Sequence, residues 1–173
     1  YIKNLDFENF KWNEMNKFYL KFIKQLKKGD KFLLSKQQDF IGRYNPSLNT
    51  LKNGFIDWTL NSYDLYNFIN AFDDPHQGAS TFLNRPGHGK LFIKTVHLHG
   101  GHTNNHPYLS GIISRHDKKW ITVCTSGKHM LLVEKVLNSE GKNIINELKE
   151  GDRFYTPLKF IESSKFNQTF YRP

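Results

Sequence analysis

Apolar residues near the start of the sequence recur at intervals of three and four positions, the pattern of an amphipathic helix. Lysines alternate with them, and Gly29 follows the last apolar residue, where it favours a helix end. The pattern therefore predicts an amphipathic helix within residues 1–29. Its apolar face consists of Trp12, Met15, Phe18, Tyr19, Phe22, Ile23 and Leu26.

Residues 30–58 show no sustained periodicity and contain several turn-forming residues, so we expect an extended linker there. Helical spacing returns over 59–72, with Thr59 or Asn61 as the expected cap. Asp-Asp-Pro at 73–75 ends this second helix, because the residue before a proline disfavours helical geometry.

The following residues contain five short runs rich in β-branched and aromatic residues, separated by turns rich in Gly, Asn, Pro or Asp. This spacing predicts a mainly β fold with flanking helices, an OB-like small β-barrel that with its leading helix spans 59–162. A short helix is expected at 143–148, and the tail 163–173 is expected to be loose. The predicted strands are 79–83, 91–97, 111–115, 119–125 and 130–137.

Basic residues outnumber acidic ones by 25 to 16, a formal charge of +9. This balance favours a phosphate-rich partner, but many of the lysines lie on the predicted helix surface, where they serve solubility. No apolar stretch approaches the roughly 20 residues of a membrane helix and no signal-peptide pattern is present, so we expect a cytoplasmic location and no membrane partner. Cys124 falls in a predicted strand and is expected to be a packed thiol.

Four histidines cluster within ten residues: His97, His99, His102 and His106. Imidazole binds transition metals, and His97 and His99 would share one face of a strand. No cysteine or carboxylate in this stretch completes a familiar site, so a polar hairpin loop explains the cluster as well, and we assign no metal ligand. No motif places a nucleophile beside a base, and we assign no catalytic residue.

Aromatic and basic residues alternate through the predicted barrel, a composition typical of surfaces on which single-stranded nucleic acid stacks. Buried barrel aromatics produce the same pattern, so an independent nucleic-acid-binding module stays open as an alternative. The residues concerned are Phe92, Lys94, Tyr108, Arg115, Lys118, Lys119 and Trp120.

Several separated motifs follow one another in order from position 44. They are Tyr-Asn-Pro at 44–46, Gly-x-Ile-Asp-Trp at 54–58, Phe-Asp-Asp-Pro-His-Gln-Gly-Ala at 72–79, His-Pro-Tyr at 106–108, Gly-Ile-Ile at 111–113 and Glu-Gly-Asp-Arg-Phe at 150–154. Over about 44–160 this series resembles the linker and C-terminal domain of the formyltransferase family.

The resemblance implies an enzyme that moves a formyl group from 10-formyltetrahydrofolate to an amine. In the family, a Rossmann-like catalytic domain precedes the barrel and holds the folate and the catalytic Asn, His and Asp, which have no counterpart here. The helix within 1–29 then resembles the element that closes that domain. We therefore expect this chain alone to bind no cofactor and to be inactive.

Two acceptors fit the resemblance. The series from the linker into Ile-Asp-Trp and Phe-Asp-Asp-Pro is similar to the enzymes that formylate a nucleotide-linked amino sugar. A methionyl-tRNA formyltransferase, whose barrel binds tRNA, is the alternative and would use the positive charge. Asn70 departs from the family, in which Arg is common near that position, and a homodimer is a further option.

The resemblance to the sugar enzymes implies a nucleotide pocket shared between the linker and the preceding domain. Its candidate residues are Arg43, Tyr44, Asn45, Asn53 and Trp58. Tyr44 would stack on a base and Arg43 would meet a phosphate. Packing roles for the two rings and turn roles for the asparagines remain the alternative.

Overall fold

The computed structural model describes residues 4–33, 35–36, 48–101 and 104–166. Among these are four α-helices, six strands and two short 3₁₀ helices, Pro107–Leu109 and Ile145–Glu147. The α-helices are α1 (Asn4–Lys27), α2 (Thr50–Asn53), α3 (Ser62–Ala71) and α4 (Leu158–Phe166). The strands are β1 (Ala79–Leu83), β2 (Leu91–His99), β3 (Ile113–His116), β4 (Ile121–Val123), β5 (Met130–Leu137) and β6 (Phe154–Tyr155).

Helix α1 ends where the sequence predicts, at Gly29. This glycine has φ +80°, and its N–H donates to the carbonyl of Leu26 over 3.0 Å. Glycine adopts that left-handed geometry without the steric cost that a Cβ would add. Trp12 on the apolar face is 57% exposed, and no described α1 side chain is buried. The apolar face of α1 therefore lies outside the core of the barrel.

Helix α3 begins at Asn61, the second of the two predicted caps. The Asn61 side chain accepts from the N–H groups of Tyr63 and Asp64, both over 3.0 Å. Two of the unpaired donors at the helix start are satisfied in this way. Leu65 and Ile69, four positions apart, are fully buried and fix the face of α3 that packs on the sheet.

The six strands form one antiparallel sheet in the order β3-β4-β5-β2-β1-β6. Strand β2 is its longest member and extends two residues beyond the predicted range, to His99. It pairs with β5 from Phe92 opposite Leu137 to His99 opposite Met130. The predicted mainly β, OB-like architecture with flanking helices is confirmed, with one strand, β6, that local periodicity did not reveal.

The two edges of the sheet meet between Gly111 and Phe154. The Phe154 N–H donates to the Gly111 carbonyl and the Ile113 N–H donates to the Asp152 carbonyl, each over 2.8 Å, and Ile112 forms an isolated bridge with Arg153. Gly111 has φ +84°, and a Cβ there would lie 2.2 Å from the Phe154 carbonyl oxygen. The sheet thus curls into a barrel because a residue without a side chain stands at the seam.

One hydrophobic core fills the barrel and continues under α3. It takes residues from all six strands, including the edge strands β3 and β6, and from the segment that leads into α3. Cys124 is buried and free, as expected. The largest fully buried side chains are Phe154, Ile56, Leu65, Ile69, Leu91, Ile93, Ile113, Ile121, Leu131 and Leu148.

A buried lysine joins the turn after α3 to strand β2. Lys94 is 7% exposed, and its ammonium group bonds to the carboxylate of Asp74 and lies 3.7 Å from that of Asp73. Its third partner is the carbonyl of His76, at 2.8 Å. A buried charge is tolerated when partners surround it in this way, so the Asp-Asp-Pro-His segment is positioned by β2.

The same turn supports an unusual backbone conformation in β2. Thr95 has φ +54°, which is rare for a β-branched residue. Its N–H donates to the second oxygen of the Asp73 carboxylate over 2.9 Å. Asp73 therefore binds the backbone of β2 at the residue next to Lys94.

Two regions are more ordered than the sequence predicts. Helix α4 covers 163–166, which we expected to be loose, and α2 lies within the expected linker. Phe160 of α4 stacks on Phe55 at 4.9 Å and on Phe82 at 5.0 Å between ring centroids. The partners of α4 are thus about a hundred residues distant in the chain, and the local pattern carried no sign of them.

We expect Gly111→Ala to lower the free energy of unfolding by at least about 3 kcal/mol, because the new Cβ meets the Phe154 carbonyl and the left-handed φ adds its own cost. Gly141→Ala is the matched control: Gly141 has φ +80° and open space around it, so only about 1–2 kcal/mol is at stake. Urea unfolding of both variants measures the difference. Equal losses would mean that the seam tolerates a side chain.

We expect a double-mutant cycle of Lys94→Met and Asp74→Asn to give a coupling energy above about 1 kcal/mol, because the ammonium is removed from water. The exposed pair of Lys142 and Glu147, 3.4 Å apart, is the control and should couple by less than about 0.5 kcal/mol. Chemical denaturation supplies all the required values. Similar coupling in the two cycles would contradict a special role for the buried lysine.

Candidate functional site

A groove of about 540 Å³ lies where the lead into α3, the 3₁₀ helix Pro107–Leu109, strand β6 and helix α4 meet. It lies beside the seam of the barrel. Its lining combines aromatic rings, hydroxyl groups and charged side chains. The lining residues are Asp57, Trp58, Thr59, Pro107, Tyr108, Ser110, Arg153, Phe154, Tyr155, Thr156, Leu158, Ile161 and Lys165.

Trp58 joins this groove to the barrel core. Its indole is 7% exposed and stacks on Phe154 with 5.8 Å between centroids and 10° between planes. The indole N–H donates to the Thr81 hydroxyl over 2.9 Å, and the Trp58 carbonyl accepts from the Ser110 hydroxyl over 2.5 Å. These contacts satisfy the polar atoms of a buried indole. Trp58 is therefore a rigid part of the groove.

Asp57 forms the turn that precedes Trp58 in the groove wall. Its carboxylate accepts from the Thr59 N–H over 3.1 Å and from the Thr59 hydroxyl over 2.6 Å. This local Asp–Thr turn orders the chain before α3, whose own cap is Asn61. The carboxylate thus has partners within its own turn.

A guanidinium and a phenol ring form the opposite wall. The Arg153 guanidinium carbon lies 4.9 Å from the Tyr108 ring centre, and Nη2 donates to the Tyr108 carbonyl over 2.8 Å. Tyr108 is 73% exposed, so most of its ring faces solvent. A cation held against a ring in this way keeps both groups oriented. Helix α4 adds a second cation, the exposed Lys165.

The groove also contains a hydroxyl group without a partner. The Thr156 hydroxyl oxygen is buried and has no hydrogen-bond partner among the described residues. Burying such a group without a partner costs about 1–3 kcal/mol, so most buried hydroxyls in folded proteins are paired. The unpaired Thr156 hydroxyl thus lies beneath the surface of a groove whose lining includes two cations.

Two of the five predicted site residues, Asn53 and Trp58, lie among the residues that the structure describes. Trp58 lines the groove, whereas Asn53 ties α2 to α4: its Nδ2 donates to the Ser164 carbonyl over 2.9 Å and its Oδ1 accepts from the Asn49 N–H over 2.8 Å. Arg43, Tyr44 and Asn45 lie outside the described residues. Their roles in substrate binding remain predictions.

The predicted pocket did not include four groove residues, Tyr108, Arg153, Thr156 and Lys165, and Tyr108 was named only for the nucleic-acid alternative. The first two lie within the quoted motifs at 106–108 and 150–154. That location was the one available signal. Nothing local indicates that residues 45 positions apart share a wall, since only closure of the sheet brings them together.

The clustered histidines have separate roles where they are described. His97 lies 3.2 Å from the Glu134 carboxylate, and His106 Nδ1 accepts from the Tyr108 N–H over 3.2 Å as a cap. Within the described ranges, no three His, Cys, Asp or Glu side chains are placed to hold a metal ion; His102 lies outside them. In the described ranges, His97 and His99 thus belong to strand β2, and His106 caps the 3₁₀ helix that follows.

The residues suggested as a nucleic-acid stacking surface do not form one surface. Phe92 is buried and Lys94 is held by Asp73 and Asp74. The Arg115 guanidinium lies 5.2 Å from the Trp120 ring centre, at the β3–β4 hairpin. Of the seven, only Tyr108 lines the groove.

Lys90, whose ammonium lies beside the rings of Phe55 and Phe92, has a shifted pKa. Burial lowers the pKa of Lys90 below its usual value, because desolvation disfavours the charged form. Its ammonium lies 4.6 Å from the ring centre of Phe55 and 5.2 Å from that of Phe92. Since its folded pKa is lowered, Lys90 opposes folding below that pKa, and the cost is relieved as pH rises toward 10.5.

The fold and the groove define an OB-like barrel domain with a groove lined by aromatic and basic residues. The family described as "Formyl transferase, C-terminal domain" matches residues 50–150, and the chain belongs to this family. No curated protein shows a significant match. None of the helices in the described residues has the length and apolar character needed to cross a membrane.

We expect Trp58→Phe to lower the free energy of unfolding by about 1–3 kcal/mol, because the Thr81 hydroxyl loses a donor and the smaller ring leaves space beside Phe154. Trp120→Phe changes a partly exposed indole and should cost less than about 0.5 kcal/mol. Thermal or urea unfolding distinguishes the two variants. An unchanged free energy of unfolding in Trp58→Phe would mean that the indole does not stabilise the fold.

Proposed function

We propose that this chain is the C-terminal domain of a 10-formyltetrahydrofolate-dependent formyltransferase that acts on a nucleotide-linked amino sugar. One observation carries the proposal: the formyl transferase C-terminal family matches residues 50–150, which form α2, α3 and strands β1 to β5. In such a reaction the amine attacks the formyl carbon, a new C–N bond forms, and the bond from that carbon to N10 of the folate breaks. We assign these steps, the folate and the catalytic groups to a preceding domain.

In the proposed shared pocket, this chain anchors the end of the linker through helix α2. Asn49 caps α2, and Asn53 binds Asn49 on one side and Ser164 of α4 on the other. Arg43, Tyr44 and Asn45 are at most six residues from Asn49, within about 20 Å of chain reach. The anchored α2 thus supports the proposal that these three residues meet the substrate at the junction with the catalytic domain.

The sugar acceptor is favoured by the motif series that runs from the linker into Ile-Asp-Trp and Phe-Asp-Asp-Pro. Two of its motifs also have structural roles: the Trp58 indole donates to the Thr81 hydroxyl, and the Asp73 carboxylate lies 3.7 Å from the Lys94 ammonium. The formal charge of +9 favours tRNA as the second candidate acceptor. A folate-dependent reaction on either substrate fits the proposed cytoplasmic location.

The test is formyl transfer by the parent protein, supplied with 10-formyltetrahydrofolate and either a panel of nucleotide-linked amino sugars or aminoacylated initiator tRNA. We expect an amino sugar to gain a formyl group, followed by mass spectrometry. We also expect Tyr44→Ala to raise KM for the sugar nucleotide about tenfold, since base stacking is lost, while Tyr44→Phe stays near the wild-type value.

Each outcome is informative. Turnover of tRNA alone would replace the sugar acceptor and make the barrel a tRNA-holding domain. Turnover of neither substrate, with a folded protein and intact folate, would refute the formyltransferase proposal. Equal KM values for Tyr44→Ala and Tyr44→Phe would remove Tyr44 from the pocket without affecting the choice of acceptor.

A further inference from the structure

The groove beside the barrel seam combines groups that a folded domain does not need for its own stability. No described carboxylate lies within ion-pair distance of Arg153 or Lys165, although other basic residues of the domain are paired, for example Arg85 with Asp152 at 3.3 Å. The five N–H groups of a guanidinium form a fork suited to phosphate oxygens. Arg153 uses one nitrogen on the Tyr108 carbonyl and retains the others.

The cations are accompanied by an exposed ring. Tyr108 is 73% exposed and lies on the stiff 3₁₀ turn that His106 caps and Pro107 begins. Arg153 holds one side of this turn through the carbonyl of Tyr108. A ring fixed in this way is a platform on which a planar base stacks with little loss of conformational entropy.

The unpartnered Thr156 hydroxyl is the third and independent observation. Its oxygen is buried in the groove lining and lacks a partner among the described residues. Because this oxygen has almost no accessible surface, it would reach a ligand oxygen only by turning toward the groove, and that contact would supply the missing hydrogen bond. Phosphate oxygens are strong acceptors and match the two nearby cations as well.

We propose that this groove binds a nucleoside diphosphate, with the phosphates between Arg153, Lys165 and the Thr156 hydroxyl and the base on Tyr108. The volume of about 540 Å³ lies within the range of small-molecule sites. The inference rests on the proposed function for the origin of the ligand, a nucleotide of the class that the amino sugar carries. The groove would be a second nucleotide site, separate from the pocket in which Tyr44 would stack on the base of the substrate.

A nucleoside diphosphate fits the groove better than an RNA strand does. A strand-binding surface needs a basic track with several successive aromatic platforms. Here the groove has two exposed rings, Tyr108 and Tyr155, which do not form a track, and of these Tyr108 has a described cation contact. The Asp57 carboxylate on the adjacent wall would repel further phosphates. The arrangement suits one base with a short phosphate chain.

Calorimetric titration of the 173-residue chain tests the site directly. The ligands are uridine diphosphate, adenosine diphosphate, uridine and inorganic pyrophosphate. We expect saturable 1:1 binding of a nucleoside diphosphate. Pyrophosphate, which lacks the base, should bind at least about tenfold more weakly, and uridine, which lacks the phosphates, should show no measurable binding.

Three variants locate the binding. Lys165→Gln should weaken nucleotide binding about tenfold, whereas Lys159→Gln, the same change on the same helix outside the groove lining, should leave it unchanged. Thr156→Val should weaken binding several-fold without lowering the unfolding midpoint, since its hydroxyl has no partner in the fold. A purely structural hydroxyl would instead lower the midpoint and spare binding.

The outcomes separate this inference from the proposed function. Formyl transfer by the parent protein without nucleotide binding by the groove would overturn the inference alone. Nucleotide binding without formyl transfer would support the groove and refute the enzyme. A short single-stranded RNA that binds more tightly than either nucleotide, with affinity falling steeply with salt, would overturn the nucleoside diphosphate in favour of nucleic acid.

Discussion

The close approach of two backbone segments at Gly111 is the constraint on which the rest of this structure depends. The carbonyl of Phe154 occupies the space that a Cβ would need, so the edges of the sheet meet through main-chain hydrogen bonds. This contact closes the barrel and pairs Ile112 with Arg153. It also brings the 3₁₀ turn with Tyr108 against β6. The core and the groove therefore share one geometric requirement.

A second set of contacts fixes helix α3 at its two ends, beginning with its C-terminal end. The carboxylates of Asp73 and Asp74 surround the ammonium of Lys94, and Asp73 also binds the backbone of Thr95. At the start of α3, Trp58 inserts into the core and bonds to Thr81. The helix is thus held at both ends by buried polar contacts. The motifs that carry the family resemblance therefore also connect α3 to the barrel in this chain.

The local pattern predicted α1, α3 and five of the six strands, because each buries or exposes a face with its own period. Strand β6 has only two residues, and α4 has no fully buried side chain to mark a core-facing side. Of the groove, Trp58 was in the predicted pocket, while Tyr108, Arg153, Thr156 and Lys165 were not. These four come from segments up to 57 positions apart, and only their distant contacts assemble them.

The sequence by itself determined the class of fold, the order of its larger elements and the family likeness, since periodicity, caps and turn residues are local properties. The tertiary structure decided which edges close the barrel, that Asn53 ties α2 to α4, and that an unpaired hydroxyl shares a groove with two cations. Those features depend on backbone approach and burial between residues far apart in the chain. Neither quantity is encoded in the spacing of neighbouring residues.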